Sequence, residues 1–346
     1  MKIKIYNEIE DLLLIKEDWD ELFIKGDYSV FQSFDFNYYS WKYELISDKR
    51  NQLAITIILI NESVVSIFPF YIDSNKQLRF INDLHVDFCD FITIESINFS
   101  EVYLFLKEEI DFKSIRLINI KQEANIYKAV KDLNTVNKVV KSISEYSILN
   151  LDKGIFPYNV PHYRSYQKYR INKAFRQNKE KKSIIASHQQ HSFPKKEILL
   201  LKETMISLGI RKDSFLTNDR LLLIECLYNS GIIIFHVMRD KDKINSINIL
   251  LKKSPSEFMF WIDLFDDSKM INISSYINFM KSSSLEQSVI INFGRGRYFY
   301  KVSNFAPEFY KLHQIYIFPN KRKKLSFLIV YRIKSLLILM YKKIKK

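Results

Sequence analysis

Cysteine is nearly absent. Two residues in 346, Cys89 and Cys226, exclude a disulfide framework and a four-cysteine zinc site, and they suit a reducing compartment. Glycine is also scarce, with six in all, so any local concentration of it carries information. No acidic residue falls between 320 and 346, where ten Lys or Arg do. Without that stretch the formal net charge of +14 drops to +4, ordinary for a soluble protein of this size. The N-terminal MKIKIYNEIEDLLL meets Glu8, Glu10 and Asp11 before any long apolar run, so it does not read as a secretory signal. The expected location is the cytoplasm.

What is present suits packed cores. Hydrophobic residues make up 47% and aromatics 15%, which argues against disorder, and the length suggests two domains. Each half coarsely reads as a strand, helices, a run of three strands, then helices alternating with further strands, a repeat of order without sequence identity. In the first half the β runs are 53–60 and 63–72, separated by Asn61-Glu62 as a tight hairpin, then 78–81 and 85–94. Helices are expected at 8–25, after VFQSFDF (carrying Tyr38, Trp41 and Leu45), at 100–109 and at 124–133. In the second half a basic helix over 159–182 and helices near 195–208 and 217–229 precede β runs at 231–239, 243–253 and 257–265. A helix near 274–285, a strand at 288–293 and a last strand near 310–318 follow. The fold class is therefore α/β (α+β): two domains, each a mixed, mostly antiparallel twisted sheet with helices on both faces. The expected boundaries are 1–143, 144–319 and a basic amphipathic stretch 320–346.

INFGRGRYFYK (291–301) holds Gly294 and Gly296. Glycine there permits positive φ or close backbone approach. Arg295 and Arg297 then sit at the C-terminal edge of a sheet, where ligands of α/β folds often bind, and can grip phosphate or carboxylate. The same residues also suit a capped turn facing water. EFMFWIDLFDD supplies two carboxylates suited to taking a proton from an attacking amine. Strict alternation puts Asp263 and Asp266 on opposite faces, with Asp263 beside Trp261 and Phe265. Asp266, at the strand end, is the better candidate base by this reading; both also suit a soluble strand end. The basic helix carries Arg170 and Arg176 among interleaved tyrosines, which suits an anionic channel or a solvated face. His85, Asp87, Cys89 and Asp90 lack the paired spacing of a closed metal site, so no metal is expected. His236 lies in a strand apolar on both faces and reads as a core histidine.

Five strings, VFQSFDFNYYSW (30–41), VVSIFPF (64–70), VDFCDF (86–91), YRINKAFRQNKEK (169–181) and INFGRGRYFYK, resemble in order and spacing the acetyltransferase-like family associated with cellulose and exopolysaccharide biosynthesis. That family is a tandem-domain branch of the GNAT superfamily, related in fold to Fem-type aminoacyltransferases. The resemblance implies acyl transfer from acetyl-CoA or another acyl-CoA to an amine or hydroxyl of a polysaccharide or lipid-linked precursor. It implies Tyr300 as proton donor to the leaving thiolate, with Asp266 or Asp263 as base. It places Ser274, Ser275 and Arg295 beside the donor's phosphates, and Arg170, Arg176, Asn292, Arg297 and Lys301 on the substrate side. Three departures stand out: Asn292 replaces a usual Asp, Arg297 a usual acid, and Asn272-Ile273-Ser274 the usual Pro-Gly before the helix. Two alternatives stay open. One is a Fem-like enzyme using aminoacyl-tRNA, the only reading that brings in nucleic acid, although the segment 183–195 is too short for the usual helical arm. The other is a catalytically degenerate protein that binds within a polysaccharide or membrane assembly.

The apolar stretch Leu325–Tyr341 is interrupted by Arg332 and Lys334, short of the ~20 uncharged residues a bilayer span needs. Flanked by basic clusters, it is expected on an anionic membrane surface, placing the protein peripherally at the inner face, or docked on its own domain.

Overall fold

The computed structural model describes residues 1–131, 133, 137–155 and 160–344. Parts of three expected elements lie outside the described residues: 132 in the helix over 124–133, 159 in the basic helix, and Lys345 and Lys346 in the basic stretch. The chain divides into two compact units. Unit 1 comprises Met1–Tyr28, Asp48–Ile143 and Leu312–Lys346; unit 2 comprises Ser29–Ser47 and Ser144–Lys311. The division departs from a linear one in two places, since Ser29–Ser47 joins unit 2 and residues from Leu312 on join unit 1.

In unit 1, strands Lys2–Tyr6, Ile55–Ile60, Ser63–Phe68 and Ile92–Thr93 form one sheet in that order. Asn61 and Glu62 both take positive φ (50° and 63°), the two-residue turn whose twist suits a hairpin. The helix expected over 8–25 is two, Ile9–Leu14 and Lys16–Lys25, yet the buried stripe Leu12, Ile15, Trp19, Leu22 runs through both. The β run expected over 85–94 is strand only at Ile92–Thr93. Upstream, side chains supply the backbone's partners. Asn119 Nδ2 donates to the carbonyls of Asp83 and Val86, and the Asp90 carboxylate caps the Asn125–Lys131 helix by accepting from the Asn125 and Ile126 amides.

Unit 2 carries the candidate site. Its elements are β1 (Asn137–Leu151, entering the unit at Ser144), α1 (Ser165–Gln177), β2 (Lys182–Ala186), α2 (Lys195–Ser207), α3 (Asn218–Asn229), β3 (Ile233–Asp240), β4 (Lys243–Ser254), β5 (Glu257–Phe265), α4 (Ile271–Ser283), β6 (Val289–Arg295), α5 (Phe299–Phe305) and β7 (Glu308–Phe318, leaving at Leu312). The strand order is β2-β3-β4-β5-β6-β1, antiparallel throughout except for β5 and β6, which run parallel. A parallel pair needs a crossover, and α4 provides it.

One sheet face buries Ile234, Leu250, Phe258 and Phe260 against Ile171 and Ala174 of α1 and Tyr276 and Phe279 of α4. On the other, Trp261 meets Phe31 and Phe36 edge-on, with ring centroids 6.4 and 5.8 Å away. Glu44 of the same N-terminal segment pairs with Arg220 of α3, both nearly buried. These contacts hold Ser29–Ser47 in unit 2. Apolar burial on both faces, at roughly 25 cal/mol per Å² removed from water, favours the layered fold.

Two irregularities shape the site. The β5–β6 ladder ends after three pairs, Glu257↔Ile290, Phe258↔Ile291 and Met259↔Asn292, so the strands splay beyond Met259. Within β5, Ile262 pairs with Ile249 and Phe260 with Leu250, leaving Trp261 as an extra residue in a β-bulge. A bulge reverses side-chain parity and re-aims the side chains beyond it. Asp263 thus lies on the α4 face with Phe260, not beside Trp261 as strict alternation predicts.

Candidate active site

The bulge turns Asp263 toward α4, where Tyr276 Oη donates to its Oδ2. Asn248 Nδ2, from the paired position on β4, donates to Oδ1 at 2.9 Å. Burial raises the Asp263 carboxyl above the usual carboxylate range; these two hydrogen bonds and the charges of Arg211 and Lys301 pull it partly back. Tyr276 is itself buried, and desolvation with the neighbouring Asp263 charge keeps its phenol protonated far above neutral pH. Its single proton goes to Asp263, and the Tyr300 phenol is close enough that the two hydroxyls affect one another's ionisation. The two rings stack at 6.0 Å and 11°. Burial also raises the Tyr300 phenol, so it remains a proton donor.

The network continues inward from Asn248. His236, fully buried, meets Asn248 Oδ1 at 3.3 Å and Ser275 Oγ at 3.0 Å through Nδ1, and Ser183 Oγ at 2.7 Å through Nε2. Asn248 Oδ1 can only accept, so Nδ1 carries the hydrogen and Nε2 accepts from Ser183. Desolvation lowers the His236 pKa to about 4, so the ring is neutral at pH 7. The core-histidine reading suits this environment, but the ring also belongs to a chain of polar groups ending at Asp263.

Tyr300 is held from two sides. It lies on α5, which sequence reasoning reads as a turn. Arg170 Nε donates to Asn304 Oδ1 at 2.6 Å, and Asn304 Nδ2 donates to the Tyr300 carbonyl at 2.7 Å. Lys301 is buried, and its Nζ donates to the carbonyls of Gly294 and Arg295 at 3.2 and 3.0 Å. Gly294 and Gly296 take φ of 69° and 95°, and Asn292 Oδ1 accepts from the Gly294 amide. A Cβ on Gly296 would lie 2.5 Å from the Tyr298 ring. We expect Gly296→Ala to cost about 1–2 kcal/mol, from left-handed strain and this clash, measured by urea unfolding. An unchanged midpoint would show that the turn does not need this glycine.

Several expected roles are corrected by these partners. Asp266 is engaged by its neighbours: its carboxylate accepts from Asn245 Nδ2, Lys243 Nζ and the Ser268 amide, and against the raising effect of burial those bonds hold its pKa below the usual range. Asp263, not Asp266, is the carboxylate beside Tyr276 and Tyr300. Ser274 and Ser275 are buried and bonded within the protein. Ser274 Oγ donates to the Ala174 carbonyl, joining α4 to α1, and Ser275 Oγ donates to Asn248. Asn292 and Lys301 hold the glycine turn, and Arg170 positions α5. Arg297 is exposed, 3.3 Å from Glu145 and over the Phe309 ring, an arrangement that contributes little stability. Arg295 is half-buried at the end of β6, opposite Tyr146, and Arg176 is exposed on the last turn of α1. Sequence reasoning missed Tyr276 and Asn248, and gave Ser275 a different role.

The α4 side of the splay is filled. Phe293 stacks on Phe260 at 5.8 Å and on Phe305 at 5.1 Å, with Tyr276 edge-on. At the N-terminus of α4, the Ile271 amide bonds to the Ser268 carbonyl and the Ile273 amide to Asn272 Oδ1. A cavity of about 600 Å³ lies under the opposite, C-terminal end of α4, lined by Ile234, Lys252, Phe258 and Phe279 among others; none of the expected site residues lines it.

The chain carries the GNAT fold, and a tandem GNAT protein is among the solved structures it resembles. No family model matches the chain, and no curated protein matches it by sequence. Solved structures do match in fold. L-PGS from Bacillus licheniformis superposes with a TM-score of 0.60 at 9% identity, covering 91% of this chain and 96% of that one. The C-terminal domain of a proposed lysylphosphatidylglycerol synthetase from Agrobacterium fabrum gives 0.55 at 10%, covering 92% and 95%. A tandem GNAT protein of the clavulanic acid biosynthesis pathway gives 0.51 at 7%, covering 91% and 98%. At these identities the likeness is one of fold.

Proposed function

We propose that unit 2 is an acyltransferase that moves an acyl group from acyl-CoA to an amine or hydroxyl of a lipid-linked or surface-polysaccharide precursor. The observation that carries the reading is Asp263 hydrogen-bonded by Tyr276, with the Tyr300 ring stacked on Tyr276, where a parallel strand pair splays. Beyond Met259 the β6-side edge of β5 has no strand partner among the described residues, which suits pairing with an extended, amide-bearing donor. Asp263 takes the acceptor's proton as nitrogen or oxygen attacks the acyl carbon. Its raised pKa brings it nearer the operating pH, where a base is most effective. As the tetrahedral adduct collapses, the acyl–sulfur bond breaks and Tyr300 protonates the leaving thiolate. Tyr276 then resupplies Tyr300, and protonated Asp263 resupplies Tyr276, so the site returns to its starting state with no net proton change.

The acceptor class rests on two supports. The neighbour named as a lysylphosphatidylglycerol synthetase domain suggests a lipid, and the resemblance in the sequence suggests a polysaccharide precursor. The test is thiol release from a panel of acyl-CoAs in the presence of lipid and glycan-precursor extracts. Tyr300→Phe is expected to slow it about tenfold, a modest loss, because a thiol of pKa near 8.5 leaves with little proton assistance. No thiol release with any pairing would count against the donor.

A second reading keeps the chemistry and changes the donor to aminoacyl-tRNA. What favours it is the start of α4, where two of the first three amides are already bonded within the protein and so do not greet a pyrophosphate. Copurification of tRNA, lost at high salt, would support it.

A further inference from the structure

The Lys321–Ile344 helix of unit 1, labelled α6, presents two different sides. One is seated on the protein. Phe327 packs on Tyr316 and Phe318, with centroids 4.4 and 5.1 Å away, and Lys141 Nζ stands 2.9 Å from the centroid of the Tyr331 ring. The other faces solvent. Leu325, Ile329, Ile333 and Leu337, spaced four apart, are 60, 51, 51 and 58% exposed, and Met340 continues the row at 58%. Four-residue spacing places successive side chains on one helix face, so this is a single apolar stripe.

A folded protein exposes such a stripe at a cost unless something covers it. Its surroundings select the cover. Lys321, Arg322, Lys323 and Lys324 fill the first turn of α6, with no acid anywhere in 320–346. The N-terminus of a helix is its positive end, so four cations there oppose the macrodipole and do not serve the helix's own stability. They call for an anionic partner. A second copy of this face is disfavoured because it would bring two acid-free, ten-cation stretches together. Crossing a bilayer is not the answer either, since no helix among the described residues is long and apolar enough.

We propose that α6 lies in the plane of an anionic membrane surface, with the Leu325–Ile329–Ile333–Leu337 stripe in the acyl boundary and the Lys321–Lys324 cluster on lipid phosphates. The inference goes beyond the transferase reading and stands whatever unit 2 transfers.

The experiment is co-sedimentation of the full chain with phosphatidylglycerol/phosphatidylcholine vesicles and with phosphatidylcholine vesicles alone. Binding to the anionic vesicles is expected to be at least tenfold tighter, and weaker in high salt as the charges are screened. Replacing Lys321, Arg322, Lys323 and Lys324 together by Gln is expected to lose about tenfold or more. Replacing Leu325, Ile329, Ile333 and Leu337 by Ser is expected to do the same through the apolar contribution, and circular dichroism verifies that the helix persists. As a check independent of those variants, an environment-sensitive fluorophore on Ile329→Cys, in a Cys226→Ser background, is expected to shift to the blue on anionic vesicles only. Equal binding to both vesicle types, no binding by the native chain, or a fluorophore that stays in water would overturn the proposal. Retention on an acidic protein without vesicle binding would also overturn it, and would assign the stripe to a protein partner.

Discussion

Asp263→Asn is expected to lower kcat/KM for acyl transfer by about 10³-fold, with KM little changed. Proton transfer by a positioned base contributes typically 10²–10⁴. The substitution is close to isosteric, so the polar line survives it. The new amide oxygen still accepts from Asn248 Nδ2, and the Tyr276 hydroxyl can turn to accept from the new NH₂. Packing of Phe260, Tyr276 and Phe293 is untouched, so the unfolding midpoint should move little. Only the capacity to take a proton is lost. Burial raises the Asp263 pKa, so the native rate should rise with pH as the carboxylate forms, and the Asn variant should lack that limb. A variant within threefold of native, or one that keeps the limb, would show that Asp263 is structural.

The second large effect is on stability. His236 has a folded pKa of about 4 against an ordinary 6.5, because its ring is held neutral in the core. The neutral form is favoured by folding, so the stabilisation is fully present above pH 6.5 and is lost as pH falls toward 4. The size is roughly 3 kcal/mol, from the two pKa values at 1.36 kcal/mol per unit. Asp263 works in the opposite sense: its raised pKa contributes stability below its unfolded value, and this is lost as pH rises through the folded one. The informative quantity is therefore the difference between native and His236→Gln. Urea unfolding of the two is expected to converge by roughly 3 kcal/mol between pH 6.5 and 4. Parallel curves over that range would mean the ring is accessible to protons in the folded state.

The strands around this histidine were the easiest part to read from sequence. The runs 231–239, 243–253 and 257–265 are apolar, β-branched and separated by short polar turns, and the structure places strands at 233–240, 243–254 and 257–265. What decides the chemistry is one residue finer. Nothing in EFMFWIDLF marks Trp261 as unpaired, because the bulge is a property of two strands together. Without it, alternation puts Asp263 on the wrong face and recommends Asp266. The α5 helix was hidden for a related reason. YFYKV is rich in aromatic and β-branched residues that favour strands. Its helical form is upheld by bonds to Arg170, 134 residues before Asn304, and by Lys301 reaching back to the glycine turn. The transfer of Ser29–Ser47 to unit 2 depends on Arg220, 176 residues beyond Glu44, and on Trp261. The glycine turn drew notice for a sound reason, the shortage of glycine elsewhere. Its basic side chains hold that turn or lie half-buried or exposed beside it.

The central claim is that the donor's thioester lies where β5 leaves β6. A structure of the protein with coenzyme A bound measures this most directly. The account predicts the sulfur between the two strands, about 3–3.5 Å from Tyr300 Oη, with Phe260, Phe293 or Phe305 shifted to admit it. Coenzyme A bound elsewhere, or excluded at millimolar concentration with those rings in place, would contradict it.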